Sequence, residues 1–485
     1  MKPSRAAVVV LTALVTVGAY AWVHQAIHGE AVTDLRTIGA GGVVWGLYVV
    51  GDGFFASAAL AGLALACVIR VRRLRELDGV ARTALPIGIA GLLAGLACVL
   101  ADLGRPLSAT MDLPLVGRPR SPFFGTFTLV AGASLFAAVV HLALASRPGW
   151  ATRARAASRW PGFWRFLAGG WQGTAAAQRR RDRVDFWLSL MLLPMFLSAL
   201  VILGIVFGVR AGRPAWQGGF EVGTFVVSAG AAGCGLLALG TRASKRAGVF
   251  LARGLALLAG LAVLLVVAGE ILALLTPHPS AQHYARALLD GPWSNPFWSE
   301  LLLFFLAAII GLVMSWRKAA SAAWAAIASL LVCAAVFLQR FLVLVAWQTH
   351  GLGLAWPTGT YHPTEVEWSV LTGVAAAAVL VFMILAVVCP AGKDDVGPPD
   401  ARAPAGRWLR SLLTAVCLIG GLALSCAGLA LSAGFASAPF LDPIFPGGPL
   451  IFLAGLFLMV AGAMAYELIP DRKSPAAAAP DLPRQ

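Results

Sequence analysis

Carboxylates stand inside or at the ends of long apolar runs in this chain: Asp52, Asp102, Glu221, Glu270, Glu300, Glu365 and Glu367. Two basic side chains accompany them, Arg105 in VLADLGRPLSAT (99–110) and Arg340 within an apolar stretch. An ionisable group among hydrocarbon is costly, so each is a candidate functional residue. Such carboxyls can take up and release protons, and a nearby arginine supplies a fixed charge and several donors. Aromatic residues crowd the same segments: Trp45 and Tyr48 in WGLYVVGD, then Trp216, Trp293, Trp298, Trp347, Trp356, Tyr361 and Trp368. Most of them suit an interfacial aromatic belt. Flat apolar walls, a carboxyl and a basic donor also suit a quinone ring, whose carbonyls need hydrogen bonds and whose redox chemistry needs protons.

The elements that must hold these residues follow from composition. The 485 residues are 59% hydrophobic and 12% charged, with a mean hydropathy of +0.82. A soluble domain could not cover that much apolar surface. Helices satisfy their own backbone in lipid, no stretch alternates as a barrel strand would, and the 53 glycines suit close helix packing. The expectation is an all-α polytopic membrane protein. The seven cysteines lie singly in apolar runs, as small buried hydrophobes, and form no metal-spaced set.

A bilayer core takes roughly 20 apolar residues. By that measure the chain holds about twelve spans: 6–27, 41–69, 84–103, 123–146, 184–209, 220–241, 247–276, 297–316, 321–349, 366–389, 408–436 and 447–468. Ala19 and Ala21 would suit a signal-peptide cleavage site, but the long apolar core of 6–27 favours a retained span. With the N-terminus inside, 29 of the 37 basic residues fall on inner connections and 7 on outer ones, leaving Arg340 in a span. That bias predicts cytoplasmic N- and C-termini in the cell (inner) membrane. It also assigns the +15 net charge to topology and anionic lipid rather than nucleic acid.

This orientation sorts the polar residues by depth. Asp102, Glu221, Glu270, Glu300, Glu365 and Glu367 gather at the outer ends of their spans. Asp52, in a span beginning at 41, is expected near mid-depth, and Arg340 is a candidate counter-charge. Glutamates at a helix start also suit the helix dipole, which explains Glu221, Glu365 and Glu367 without chemistry. The largest inner loop, 147–183, mixes Trp150, Trp160, Trp164 and Trp171 with nine arginines and suits the membrane surface or a partner's docking face. The stretch 391–407 reads as a polar cytoplasmic linker, and 469–485 as a disordered tail.

Five motifs, WGLY (45–48), DLGRP (102–106), RPAWQ (213–217), FWSEL (297–301) and YHPTEVEW (361–368), together resemble the NrfD/PsrC family of membrane quinone-reactive subunits, over about 41–390. The ten-helix branch, with the subunits of alternative complex III and the HybB- and DsrP-like proteins, is most similar. The resemblance implies two adjacent four-helix bundles with flanking helices, and no haem or iron–sulfur cluster in this chain. It implies quinone or menaquinone bound near the outer face and electron exchange with a peripheral iron–sulfur subunit of the four-cluster ferredoxin-like type. A catalytic molybdenum, hydrogenase or multihaem subunit would complete the complex. Carried across, the quinone region falls on Trp45, Tyr48, Asp102 and Arg105, while Glu300 and Glu367 match the acids of the eighth- and tenth-span motifs. The chain departs from the family by lacking a histidine in SALVILGIVFG (198–208) and by carrying Gly51–Asp52 after WGLY.

From these readings Asp102, Asp52 and Glu300 are the expected proton-handling catalytic groups. Glu270, Glu367 and Arg340 are the expected proton path. The segments 1–40 and 408–468 flank the core as one and two further spans. Haem would need paired imidazoles at one depth; His141 has no mate, and only His24 and His350 share a level. The alternative function is a proton-conducting or transporter-like module without quinone chemistry.

Overall fold

The computed structural model describes residues 4–35, 43–103, 127–156, 160–171, 173–208, 219–241, 244–277, 279–317, 321–349, 361–390 and 407–432, and 451, 454–455, 457–459 and 461–464. The chain is an all-α, multi-pass membrane protein, with ten described helices long and apolar enough to cross a bilayer. In order they are α1 (Arg5–His28), α2 (Leu47–Val71), α3 (Asp78–Asp102), α4 (Thr128–Arg155), then the short α5 (Pro161–Ala168), and α6 (Ala175–Gly208). There follow α7 (Gly219–Gly240), α8 (Lys245–Leu275), the short α9 (Pro279–Leu289), α10 (Ser294–Trp316), α11 (Ala322–Phe341) and α12 (Glu365–Val388). The eleventh expected span coincides with α13 (Arg407–Ser432), and the described residues of the twelfth are helical. Arg105 and the RPAWQ motif lie outside the described residues, as do 391–406 and 465–485.

Helices α3, α4 and α6 run past their apolar stretches into arginine-bearing turns, because an arginine stem can lie along apolar surface with its head in water. The opposite happens at α2, which starts at Leu47 instead of 41. The preceding strap bends at Val44 and Trp45 and is pinned there: the Gln348 side chain accepts from the Val44 and Trp45 N–H groups and donates to the Trp45 carbonyl. A π-helical turn at Leu342–Ala346 carries α11 on to that glutamine. Asp52 is therefore the sixth helical residue, only about 8 Å along the axis from the α2 start. It lies much nearer the outward-assigned end than the expected mid-depth.

The chain divides into two compact units. In the first (1–138 and 191–388), α7, α8, α10 and α11 form a four-helix bundle. Its core is alanine-rich, with Ala231, Ala232, Ala259, Ala307 and Ala335 around Leu255, Phe304 and Val332. Small residues let helices approach closely in lipid. A second group joins α1 to α12, α12 to α3 and α3 to α2, while α2 also packs on α7 and α11 and so stands between the two groups. At the α1–α12 crossing, a Cβ added to Gly18 would lie 2.6 Å from the Gly373 Cα, so only glycine fits. The second unit (139–190 and 389–485) contains α5, the adjoining halves of α4 and α6, and α13.

Candidate functional site

The seam between α2 and α3 carries the first cluster. Tyr48 and Asp52 are one helical turn apart on α2, and Gly95, Cys98 and Asp102 share a face of α3. Gly95 leaves room for the α2 acid: a Cβ there would stand 2.8 Å from Asp52 Oδ1. Asp52 is 2% exposed, and its Oδ2 has no hydrogen-bond partner among the described residues. The same holds for Oδ1 of Asp102, the last residue of α3. The two carboxyls lie within electrostatic reach of each other. Above them, the buried Tyr48 hydroxyl donates to Gln25 Oε1 at 2.6 Å. Gln25 Nε2 donates to the Ala101 carbonyl at 3.3 Å and to Glu30 at 3.2 Å. The seam thus joins α1, α2 and α3 through polar side chains and ends in two carboxyl oxygens open to a further partner.

Glu367 is differently placed. It is fully buried, and Thr364 and Glu367 form a capping box at the start of α12: the Thr364 N–H donates to Glu367 Oε2 at 2.9 Å, and the Glu367 N–H to Thr364 Oγ1 at 3.4 Å. The Asp34 N–H donates to the same Oε2 at 3.3 Å, and the Tyr361 hydroxyl donates to Oε1. That hydroxyl in turn accepts the Leu47 N–H at 2.7 Å, an amide that α2 leaves without a helical partner. Burial and the Glu367 carboxylate raise the Tyr361 pKa well above the ordinary tyrosine value, so the phenol stays a donor. Glu367 and Tyr361 thereby clamp the α12 start to the α2 start.

The second cluster lies in the four-helix bundle. Arg340 is 1% exposed, the largest fully buried side chain described. Its Nη1 donates to Gln339 Oε1 at 2.7 Å and its Nη2 to the Phe225 carbonyl at 2.8 Å, with the guanidinium 3.5 Å from the Phe225 ring centroid. Its stem packs on α2 at Gly53, where an added Cβ would meet Arg340 Cδ at 3.6 Å. Glu221 and Glu300 lie within electrostatic reach of Arg340, and Glu270 within reach of both acids. Arg340 Nε and Glu270 Oε2 are buried without partners among the described residues, while the Gln339 amide lies within hydrogen-bonding reach of Glu300. A small cavity of about 10 Å³ opens here, lined by Gly204, Glu221, Thr224, Phe225, Gln339, Arg340 and Val343.

Trp45 and Tyr48, neighbours in WGLY, part company in space. Trp45 meets Phe207 edge-on at 6.0 Å and packs beside Phe297, Leu301, Leu342 and Ala346. Tyr48 packs with Ala21, Ala101 and Val370. Tyr48, Asp52 and Asp102 are brought together; Glu270, Glu300 and Arg340 form a separate group, and Gly51 and Gly53 keep α2 slim between them. Gln25, Glu30 and Gln339 were not among the candidates. A glutamine inside an apolar run was the available signal for two of them, while Glu30, beyond the end of α1, carried none.

Fold and site together define a multi-pass helical membrane protein whose protonatable groups gather at one end of its bundles. The chain belongs to the NrfD polysulphide reductase family, whose model matches residues 37–350. It is also similar to a Halobacterium salinarum protein named for the membrane component of a dimethyl sulfoxide reductase, with 26% identity over 409 residues, covering 77% of this chain and 88% of the relative.

Proposed function

We propose that this chain is the membrane subunit of a multisubunit redox complex of the cell membrane, binding quinone or quinol at the outer end of the α2–α3 seam. Membership of the NrfD family and the name of the Halobacterium relative support the redox-complex reading. The observation that carries the quinone site is the pair of buried carboxyl oxygens, Asp52 Oδ2 and Asp102 Oδ1, without partners among the described residues and next to Tyr48. Buried polar atoms of this kind call for a hydrogen-bonding partner. A quinol supplies hydroxyl donors that match a carboxylate, and a quinone supplies carbonyls that match a protonated one.

In this reading Asp102 takes the two protons of the quinol hydroxyls in succession, passing the first to Asp52 one turn deeper before it accepts the second. The two electrons leave for a peripheral iron–sulfur subunit and pass from there to a catalytic subunit, a molybdenum subunit being among those the family resemblance implies. Arg105 belongs to this site through the family motif. Glu270, Glu300 and Arg340 form a separate protonatable group beyond α2, available for onward proton movement. Glu367 holds the geometry through Tyr361.

The test is quinol-driven electron transfer by the purified complex carrying Asp102→Asn. Turnover falls by about a hundredfold or more with the partner subunits still bound. Unchanged turnover in a fully assembled complex would rule the assignment out.

A further inference from the structure

The short helix α5 has no part in the quinone reading. It joins the spans α4 (Val130–Arg155) and α6 (Ala175–Phe207). Eight residues of helix cover only about 12 Å, far short of the roughly 30 Å hydrocarbon core. The connection cannot recross the bilayer, so α5 sits at the membrane face where both spans end.

One side of α5 is locked down. Arg147 of α4, 4% exposed, donates through Nε to the Ala168 carbonyl at 3.0 Å and through Nη2 to the Gly169 carbonyl at 2.7 Å. These bonds satisfy the carbonyls that a helix end leaves open, and Gly169 closes the helix in the left-handed conformation at φ 53°. Trp164, Leu167 and Ala168 pack against Trp150 and Ala151 of α4. Arg153 stacks over the Trp164 ring at 4.9 Å.

Locking that side turns the other outward. Trp160, Phe163 and Phe166 are 64%, 53% and 81% exposed, although each is large and apolar. Arg155 ends α4, Arg165 lies on α5 itself, and Arg179 and Arg183 stand in the opening turns of α6; all four are exposed. Large aromatics flanked by guanidinium groups at a membrane face match the acyl boundary and the headgroups of an anionic phospholipid.

We propose that Trp160, Phe163 and Phe166 seat α5 in the headgroup layer, with Arg155, Arg165, Arg179 and Arg183 holding anionic phospholipid around it. The seat is independent of the quinone site: α5 belongs to the second unit and the α2–α3 seam to the first.

Amide hydrogen exchange of residues 161–168 tests this, with the full chain in nanodiscs of phosphatidylcholine alone or mixed with phosphatidylglycerol. The wild type exchanges about tenfold more slowly when the anionic lipid is present. Arg165→Gln/Arg179→Gln loses that dependence on lipid charge, and Phe163→Ser/Phe166→Ser exchanges fast in both lipids. Equal exchange of the wild type in the two lipids would overturn the proposal. So would slowing that occurs only when a partner subunit is added, which would make this face a protein interface.

Discussion

The Tyr48 hydroxyl donates to the Gln25 side-chain oxygen at 2.6 Å, tying the first turn of α2 to the last turn of α1. Gln25 continues the chain to the Ala101 carbonyl, one residue before Asp102. Tyr48, Gln25 and Asp102 thus share a single polar seam at one end of three helices.

Tyr48→Phe leaves Gln25 Oε1 buried without its donor, a loss of about 1–3 kcal/mol. The purified chain should unfold several degrees lower, and quinol turnover should fall with it. Gln25→Glu keeps an acceptor for Tyr48 but cannot donate to the Ala101 carbonyl when ionised, so it should not behave as wild type in a thermal melt.

Asp52→Asn should lower quinol turnover less than Asp102→Asn, because Asp52 lies deeper and receives the proton second. The double substitution should be no worse than Asp102→Asn alone, since groups acting in series do not add. Steady-state turnover of the three variants in the assembled complex checks the order. Additive losses would mean that the two acids act independently.

Arg340→Met removes the donors to Gln339 and the Phe225 carbonyl and the cation facing Glu221 and Glu300. Breaking such a buried pairing costs on the order of 3–5 kcal/mol. Arg340→Lys should not rescue stability, because an ammonium cannot stack on the Phe225 ring while bonding both partners. Arg340→Met combined with Glu300→Gln should recover part of the loss. The readout is the thermal midpoint of the detergent-solubilised chain.

Tyr361→Phe unties α12 from α2 by removing both the donor to Glu367 and the acceptor for Leu47, for a further loss of about 1–3 kcal/mol. The raised pKa of Tyr361 favours the protonated form in the fold. Its contribution is therefore fully present below the ordinary tyrosine pKa of about 10, and is lost only as pH rises through the higher folded value. The stability gap between wild type and Tyr361→Phe should be constant from about pH 6 to about pH 9. A gap that closes on mild alkalinisation would contradict the clamp.

The spans were legible because apolar length and charge bias are local properties, and the ten long helices fall within a few residues of the expected segments except where arginine-rich turns extend them. The start of α2 was not, because it depends on Gln348, some three hundred residues away in the chain. That distant contact also sets Asp52 near the start of α2 rather than at its middle. Adjacency in WGLY concealed that Trp45 and Tyr48 face different helices, since Trp45 precedes the first turn while Tyr48 is inside it. The acids declared themselves as charges among apolar residues. Their neutral partners Gln25 and Gln339 matter through hydrogen bonds that only the folded chain reveals.

A photoreactive azidoquinone tests most directly whether quinone binds at the α2–α3 seam. After irradiation of the assembled complex, peptide mapping should find the label on residues 45–52 or around Asp102, and excess unmodified quinone should abolish it. Labelling confined to the bundle of α7, α8, α10 and α11, or labelling that quinone does not displace, would contradict that placement.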